Sequence, residues 1–136
     1  MTETLTAPSV QPRFDFTLLT PILRVADVDR AVAFYRDAFG FKMLHRFGSD
    51  EGPTVFAVMA YGNNGRFAIA RDENSEPTAA TTLYLYCDDC VALSEQAVRH
   101  GATLTEAAAA RPWGDTTSYL TDPFGFSWEL ATPAAD

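Results

Sequence analysis

Hydrophobic positions in the first half of the chain change from strand-like to helix-like spacing and back again. Residues 16–25 are rich in Leu, Ile and Val, which predicts a β-strand. Asp27 then precedes apolar residues that recur at helical spacing as far as Phe39, and Gly40 follows, so we predict a helix with an Asp N-cap and a glycine stop. Three further strands are predicted at 41–47, 54–61 and 66–71, with a Gly-Asn-Asn-Gly turn between the last two.

The same order of elements recurs in the second half. A strand is predicted at 81–87, Asp88 or Asp89 caps a helix, and Gly101 ends it. Asp27 to Gly40 and Asp88 to Gly101 span the same number of residues. Strands then follow at 102–107, 115–121 and 126–131. The pattern therefore predicts two tandem βαβββ modules, each with one exposed sheet face, whose pairing buries that face or creates a cavity.

These elements predict one domain at 16–131. The polar first 15 residues contain two prolines and no periodicity, which is typical of a flexible tail. The charged, Pro-containing stretch between the halves is predicted as a linker. The predicted order is N-terminal tail, module one, linker, module two and C-terminal tail, at 1–15, 16–71, 72–80, 81–131 and 132–136.

Composition and charge exclude several classes of function. The chain has 136 residues, of which 47% are hydrophobic and 21% charged, as in ordinary globular proteins. The 18 acidic and 10 basic residues give a net charge of −8, which disfavours nucleic acid and anionic membranes and favours a cationic ligand. No apolar run approaches the ~20 residues that span a bilayer, and the N-terminus has no signal-peptide pattern. We therefore expect a cytoplasmic protein with neither nucleic-acid nor membrane partners.

The closing segment carries the residues of most chemical interest. Residues 122–125, Asp-Pro-Phe-Gly, have the sequence of a tight turn, because Pro fixes φ at the second position and Gly is favoured at the fourth. This turn predicts a hairpin whose second strand contains Glu129 among apolar residues. A carboxylate in such a run needs a partner, a ligand or solvent. Arg24 and Arg66 are candidates for an internal ion pair with it.

The opening and closing segments resemble those of the vicinal oxygen chelate superfamily, which contains glyoxalases, bleomycin-resistance proteins and extradiol dioxygenases. The residues that carry the resemblance are Leu23-Arg24-Val25-Ala26-Asp27, Ala33-Phe34-Tyr35, Phe39-Gly40-Phe41, Arg111-Pro112-Trp113-Gly114-Asp115 and Asp122-Pro123-Phe124-Gly125-Phe126-Ser127-Trp128-Glu129-Leu130. The resemblance extends over 18–131. It implies an α+β fold in which the two modules form a curved mixed sheet around a cavity.

The superfamily's name implies a divalent metal held by four side chains, which are His, Gln or Glu in the metal enzymes. The matching positions in this chain are Thr20, Ala70, Thr82 and Glu129. One carboxylate and two hydroxyls do not hold Zn²⁺, Ni²⁺ or Fe²⁺ firmly. His45 and His100 lie at no matching position. We therefore predict no metal and no cofactor.

The Cys-x-x-Cys pair of Cys87 and Cys90 has both a chemical and a structural interpretation. Such a pair can form a redox disulfide or half of a zinc site. A zinc site needs two further ligands, and the chain has neither a second Cys-x-x-Cys nor a His pair. We therefore predict a structural role for the pair.

The four matching positions also indicate which side chains face the cavity, because side chains alternate along a strand. The predicted ligand-binding residues are Thr20, Arg24, Arg66, Thr82, Tyr84, Tyr86, Trp113 and Glu129. The aromatic residues would stack on a ligand, and Glu129 would pair with a donor or a cation on it. For Trp113, a subunit contact and a place in its own module's core are the alternatives.

Among the branches of the superfamily, the chain is most similar to the bleomycin-resistance-like proteins. This implies a homodimer that binds a bulky aromatic or cationic compound, such as an antibiotic, and sequesters it without a metal or a reaction. The competing prediction is a glyoxalase- or dioxygenase-like enzyme. It would use a divalent metal, or Glu129 as a general base.

Overall fold

Two βαβββ units follow one another along the chain, as predicted. The computed structural model describes residues 5–76 and 78–134. Module one consists of β1 (Ile22–Val25), α1 (Val28–Phe39), β2 (Lys42–Gly48), β3 (Thr54–Tyr61) and β4 (Gly65–Arg71). Module two consists of β5 (Thr82–Tyr86), α2 (Cys90–Arg99), β6 (Thr103–Ala110), β7 (Thr116–Thr121) and β8 (Ser127–Thr132). Neither helix in the described residues is long and apolar enough to cross a membrane.

Each module builds its own four-stranded mixed sheet. The strand orders are β1-β4-β3-β2 and β5-β8-β7-β6. In both sheets the first strand pairs with the last in parallel, and the other pairings are antiparallel. One face of each sheet packs against the helices and the core. We call the opposite face the open face. The predicted α+β class and module order are thus confirmed.

The core joins the two modules through an aromatic cluster. Trp128 on β8 is the largest fully buried side chain among the described residues. Its ring centroid lies 4.9 Å from that of Phe39, 5.8 Å from Phe41 and 5.6 Å from Phe67, all of which belong to module one. Aromatic pairs at these separations contribute beyond the apolar area that they bury. The modules therefore share one core on their helix-facing sides.

Asp122 connects the closing turn, in which it lies, to the aromatic cluster of the core. Its Oδ2 accepts hydrogen bonds from the Tyr35 hydroxyl of α1 at 2.5 Å and from the Trp128 indole at 2.9 Å. Its Oδ1 accepts from the backbone amides of Phe124 and Phe126 at 2.9 and 3.0 Å. Burial, and then the charge of Asp122, raise the pKa of Tyr35 well above its ordinary value. The Asp-Pro-Phe-Gly motif thus ties the two modules together as well as turning the chain.

The helix boundaries follow the predicted caps with one correction. Asp27 caps α1 by accepting from the Arg30 amide, and Gly40 ends it in the left-handed conformation at φ 85°. In α2 the N-cap is Asp89, which accepts from the amides of Val91 and Ala92, and not Asp88. The prediction that the cap-to-glycine distance is equal in the two helices, counted from Asp88, is therefore wrong by one residue. The α2 C-cap is His100, immediately before the predicted glycine.

The first strand is shorter than the predicted 16–25, and begins only at Ile22. The residues before it form a turn in which the Thr20 hydroxyl donates to the Thr17 carbonyl at 3.2 Å and accepts from the Thr17 amide at 3.1 Å. Leu19, counted as a strand residue by its apolar character, is 85% exposed. A local hydroxyl-to-backbone turn competes with strand pairing here.

The segment before this turn lies against module one. Phe14, in the predicted tail, makes edge contacts with the rings of Phe47 at 5.1 Å and His45 at 5.3 Å. The Arg66 guanidinium donates to the Asp15 carbonyl at 3.0 Å. Phe14 and Asp15 therefore contact the open face of the module-one sheet. Other residues of the predicted tails and linker, 1–4, 77 and 135–136, lie outside the described residues.

We predict that Thr54 gives the domain an acid-sensitive component of stability. The Thr54 amide and hydroxyl both donate to the Asp29 carboxylate in the first turn of α1, and these bonds lower the pKa of Asp29. The stability they supply is present above the ordinary pKa of 3.8 and is lost as pH falls through the lower, folded-state pKa. Thr54→Val deletes the hydroxyl donor, so its urea-unfolding free energy should fall less than wild type between about pH 6 and about pH 3.

The matched control is Thr82→Val, because within the described part of the chain the Thr82 hydroxyl is hydrogen-bonded to the Ser127 hydroxyl alone. This control should follow the wild-type pH dependence. If the unfolding free energies of wild type and Thr54→Val change in parallel with pH, the Asp29–Thr54 contact is not the source of the acid-sensitive stability.

Candidate functional site

One row of polar and aromatic side chains crosses all four strands of module two on its open face. In the strand register, Tyr84 pairs with Glu129, Glu129 with Tyr119, and Tyr119 with Glu106. Paired residues on neighbouring strands share a face, so these four side chains stand side by side. The row extends from a central strand to both edges of the sheet.

Glu129 lies in the middle of this row and is 6% exposed. Its Oε2 is the one buried side-chain nitrogen or oxygen atom without a hydrogen-bond partner among the described residues. The neighbouring Glu129, followed by burial, raises the pKa of Tyr119. Buried acceptors without a donor are rare because they lose their hydration without compensation. Among the described residues, Glu129 therefore carries the buried acceptor oxygen that lacks a hydrogen-bond donor.

The arginine near Glu129 is Arg111, which precedes β7. Its guanidinium donates to the Thr117 hydroxyl at 2.6 Å and to Glu106 at 3.0 Å, and lies 5.2 Å from the centre of the Tyr119 ring. The hydrogen bond to Glu106 is the main cause of its raised pKa, and the charge of Glu129 is a minor one. Among the residues that the structure describes, no cation lies within ion-pair distance of Glu129.

An aromatic cluster adjoins Glu129 along β5. The hydroxyls of Tyr84 and Tyr86 both donate to Asp115 Oδ2, at 2.6 and 2.7 Å. The Trp113 indole donates to the Tyr84 hydroxyl at 3.0 Å. These bonds lower the pKa of Asp115, while burial and the bond to Asp115 raise the pKa of Tyr84 to about 12. We call Tyr84, Tyr86, Trp113 and Asp115 the Asp115 cluster.

We predict that Asp115→Asn lowers the pKa values of both tyrosines, by different amounts. For Tyr86 the bond to Asp115 is the largest cause of the raised pKa, whereas for Tyr84 it is burial. Tyr86 should therefore approach its ordinary pKa of 10, and Tyr84 should fall from about 12 but stay above 10. Tyrosine ¹³C NMR titration resolves the two sites. Glu106→Gln should leave both values unchanged, and an Asp115→Asn protein with wild-type values would contradict the bonding.

The predicted ligand-binding residues divide between the two sheets. The structure brings Tyr84, Tyr86 and Trp113 together in the Asp115 cluster and places Tyr84 beside Glu129. Thr82 lies on the same strand and donates to the Ser127 hydroxyl at 3.3 Å. Predicted residues outside this sheet are Thr20, Arg24 and Arg66, all in or before the module-one strands.

The predicted ion pair of Glu129 with Arg24 or Arg66 is not formed. The Arg66 guanidinium instead donates to the carbonyls of Gly62 and Gly65, at 3.0 and 2.8 Å, as well as to Asp15. Arg24 is exposed on β1. The Thr20 hydroxyl is engaged in the turn with Thr17. Arg66 and Thr20 are therefore engaged in hydrogen bonds within module one and the segment before it.

Sequence reasoning missed three members of the site: Arg111, Asp115 and Tyr119. Arg111 and Asp115 flank Trp113 in the motif Arg-Pro-Trp-Gly-Asp, so their proximity to the tryptophan was visible. Tyr119 lies two strands from Tyr84. Alternation along β7 would have found it once the register to Glu129 was known.

Comparison with known proteins gives this arrangement a family. Residues 13–130 match the Glyoxalase/Bleomycin resistance protein/Dioxygenase superfamily. The chain belongs to this superfamily. The match includes both modules and the site on β8.

Relatives in the superfamily include enzymes and uncharacterized proteins. An uncharacterized protein of Mycobacterium bovis is 29% identical over 130 residues, covering 87% of this chain and 84% of the relative. A lactoylglutathione lyase of Haemophilus influenzae is 27% identical over 121 residues, covering 83% of this chain and 90% of that enzyme. The crystal structure of TioX from Micromonospora sp. ML1 is similar with a TM-score of 0.69 and 22% identity, covering 86% of this chain and 98% of TioX. That likeness confirms the fold.

The residues at the superfamily's metal positions do not fit a divalent metal in this chain. Of Thr20, Ala70, Thr82 and Glu129, only the last is a strong oxygen donor. Within 5–76 and 78–134 no group of three or more His, Cys, Asp or Glu side chains could hold a metal ion.

The two cysteines lie beside this sheet as free thiols. Burial is the main cause that raises the pKa of Cys87 to about 11, so this thiol stays protonated at neutral pH. The Cys90 thiol donates to the Thr116 carbonyl at 3.4 Å, and its amide donates to the Thr132 hydroxyl at 2.8 Å. These contacts tie the start of α2 to β7 and β8, which is a structural role.

Proposed function

We propose that this superfamily member is a metal-independent binding protein that sequesters a bulky aromatic or cationic small molecule, such as an antibiotic. The observation that carries the proposal is the unpartnered, buried Oε2 of Glu129. It lies beside Tyr84, a residue that is 41% exposed, and near the exposed Trp113. A ligand that places a donor on Glu129 and an aromatic surface on these rings would satisfy both groups at once.

The charge of the open face favours a cation. Asp115 and Glu129 are both largely buried, and none of the ion pairs among the described residues includes either of them. Asp115 accepts two tyrosine hydroxyls, whereas Glu129 Oε2 has no donor among the described residues. Transfer of a carboxylate from water is costly unless a counter-charge or donors compensate. The net charge of −8 also attracts cations over distance. Charge and aromatic exposure therefore support the same ligand class.

We also propose that a homodimer completes the site. Arg24 and Arg66 lie on module one, whereas Glu129 and the Asp115 cluster lie on the separate sheet of module two. A second copy that sets module one against module two would place basic groups opposite acidic ones and cover apolar residues such as Ile22 and Phe47. A twofold axis makes two such contacts at once. The free thiols fit our expectation of a cytoplasmic protein.

Thermal-shift and titration screening against glycopeptide and aromatic antibiotics tests the proposal, with sedimentation velocity for the dimer. A compound that binds should stabilise the fold with and without EDTA. Glu129→Gln and Trp113→Ala should each lower the affinity for that compound at least about tenfold. Phe124→Leu, outside the open face, is the control. A screen without stabilisers, or an affinity that both variants leave unchanged, would overturn the proposal.

The competing activity has support from the relatives named lactoylglutathione lyase, at 26–28% identity. Metal analysis of protein purified without chelator separates the two functions. Stoichiometric Zn²⁺ or Ni²⁺ together with turnover of lactoylglutathione would establish the enzyme and exclude a metal-independent binder. Turnover without metal that is lost in Glu129→Gln would instead identify Glu129 as a general base.

A further inference from the structure

The Asp115 cluster lies next to the Glu129 carboxylate on the open face. Its three aromatic side chains come from β5 and from the loop before β7. Tyr84 and Tyr86 have ring centroids 5.4 Å apart at an interplanar angle of 66°. Tyr86 is 53% exposed and Trp113 60% exposed, while Asp115 behind them is buried. The three aromatic side chains are therefore partly open to solvent, and the carboxylate that accepts the two tyrosine hydroxyls is buried.

The polar atoms of the cluster are engaged with one another. Asp115 Oδ2 accepts both tyrosine hydroxyls, and the Tyr84 hydroxyl also accepts from the Trp113 indole. What the cluster offers to a ligand is consequently ring surface and negative charge. Few hydrogen-bond acceptors remain at its surface. The bonds also fix the angle between the rings, so little side-chain freedom would be lost on binding.

These features match one kind of cation. The face of an aromatic ring attracts a positive charge within about 6 Å of its centroid, and an uncompensated carboxylate behind the rings adds to the attraction. A primary ammonium has three N–H donors that each need an acceptor when it leaves water. A methylated ammonium carries the same charge without that need. Its methyl groups also contact ring faces through apolar surface.

We propose that the Asp115 cluster is a cage for a tertiary or quaternary ammonium group of the ligand, with Tyr84, Tyr86 and Trp113 as its walls. This rests on the proposed small-molecule binding and adds a specific chemical requirement to it. The ligand carries an N-methylated cation at one end and an N–H donor, directed to Glu129, at the other. The register that pairs Tyr84 with Glu129 keeps the two elements adjacent.

Three small probes of similar shape test the cage directly: choline, its neutral carbon analogue 3,3-dimethylbutan-1-ol, and the primary amine ethanolamine. Isothermal titration and tryptophan fluorescence measure binding. Trp113 is 60% exposed and Trp128 only 2%, so Trp113 is the tryptophan that a surface ligand perturbs. Choline should bind at least about tenfold more tightly than either analogue. Equal affinity for 3,3-dimethylbutan-1-ol, or tighter binding of ethanolamine, would overturn the cage.

Variants assign the binding to the cluster. Trp113→Leu and Tyr86→Leu should each lower the affinity for choline at least about tenfold. Trp113→Phe keeps an aromatic ring and should lose less of this affinity. Phe124→Leu, an aromatic in the closing turn outside the open face, is the matched control and should bind choline as wild type does. Thermal melts verify that every variant is folded. Choline binding that is unchanged in both leucine variants would contradict the proposal.

The failure of the cage and the failure of the proposed function give different results. If aromatic antibiotics bind in a Glu129-dependent manner but choline does not bind, the cage is wrong and the binding function stands. If choline binds through Trp113 and Tyr86 while the antibiotic panel fails, the cage stands without the sequestration function.

Discussion

Replacing Asp122 by alanine should lower the free energy of unfolding by about 3–4 kcal/mol, the largest effect expected of any single substitution discussed for this domain. The carboxylate is 4% exposed and serves four donors, from Tyr35, Phe124, Phe126 and Trp128. Alanine leaves the tyrosine hydroxyl and the indole buried without acceptors, at a cost that exceeds the net value of the bonds themselves. Chemical denaturation with matched m-values measures the loss.

A double-mutant cycle isolates the link between the modules. Tyr35→Phe removes only the hydroxyl from α1 and should cost about 1–2 kcal/mol. In the Asp122→Ala background the same change should cost at least about 1 kcal/mol less, because its partner is already gone. Asp88→Ala, an exposed carboxylate at the end of β5, should stay within about 0.5 kcal/mol of wild type. Additive losses for Tyr35 and Asp122 would show that the turn does not fasten α1.

The role of Asp122 illustrates which features are local in the sequence and which are not. The Asp-Pro-Phe-Gly turn was predictable because its backbone requirements involve four consecutive residues. Its bond to Tyr35 joins residues 87 positions apart and appears only when both modules are packed. The N-cap of α2 shows that a prediction from neighbouring residues can also be ambiguous. Asp88 and Asp89 satisfy the same capping rule, and only the backbone geometry selects Asp89.

The candidate site was predictable as a face but not as a set of contacts. Alternation along β5 and β8 correctly places Tyr84, Tyr86 and Glu129 on one side of a sheet. It cannot say which of several arginines lies near Glu129, since Arg24 and Arg66 alternate in the same phase on a different sheet. The cation near the carboxylate is Arg111, from an irregular segment outside the period-two pattern.

The apolar character of a residue did not determine whether it is buried or exposed. Leu18 and Leu19 have the composition of a buried strand, yet both are exposed beside the turn formed by Thr17 and Thr20. Apolar residues contribute much of any protein surface, so a leucine pair alone does not define a core position. Conversely, Glu129 is buried although it belongs to no core-facing row, and its register partners are Tyr84 on β5 and Tyr119 on β7. No single stretch of sequence contains them.

Glu129→Gln should reduce affinity for an amine-bearing ligand by at least about tenfold while leaving the melting temperature equal to or above that of wild type. The amide has nearly the shape of the carboxylate but carries no charge, so a charge-assisted bond becomes a neutral one. The wild-type carboxylate holds a buried oxygen without a donor, which costs stability in the free protein. Loss of function together with no loss of stability is the mark of a binding residue.

Glu106→Gln is the matched control for this experiment. Glu106 lies in the same row of side chains and bonds Arg111, but it is exposed. Its replacement should change affinity much less than that of Glu129. If Glu129→Gln instead lowers the melting temperature by several degrees and leaves affinity intact, the carboxylate stabilises the sheet and does not bind the ligand.

Tyr119 gives a readout of Glu129 that needs no ligand. Its interaction with Glu129 is the largest cause of its raised pKa. In Glu129→Gln the pKa of Tyr119 should therefore move down toward 10, whereas the pKa of Tyr84, raised by burial and Asp115, should stay near 12. A lowered pKa of Tyr119 together with an unchanged pKa of Tyr84, both followed by ¹³C NMR, would establish that the variant changes the charge at the centre of the row and preserves the Asp115 cluster. A fall in affinity then follows from the missing carboxylate and not from rearranged aromatic walls.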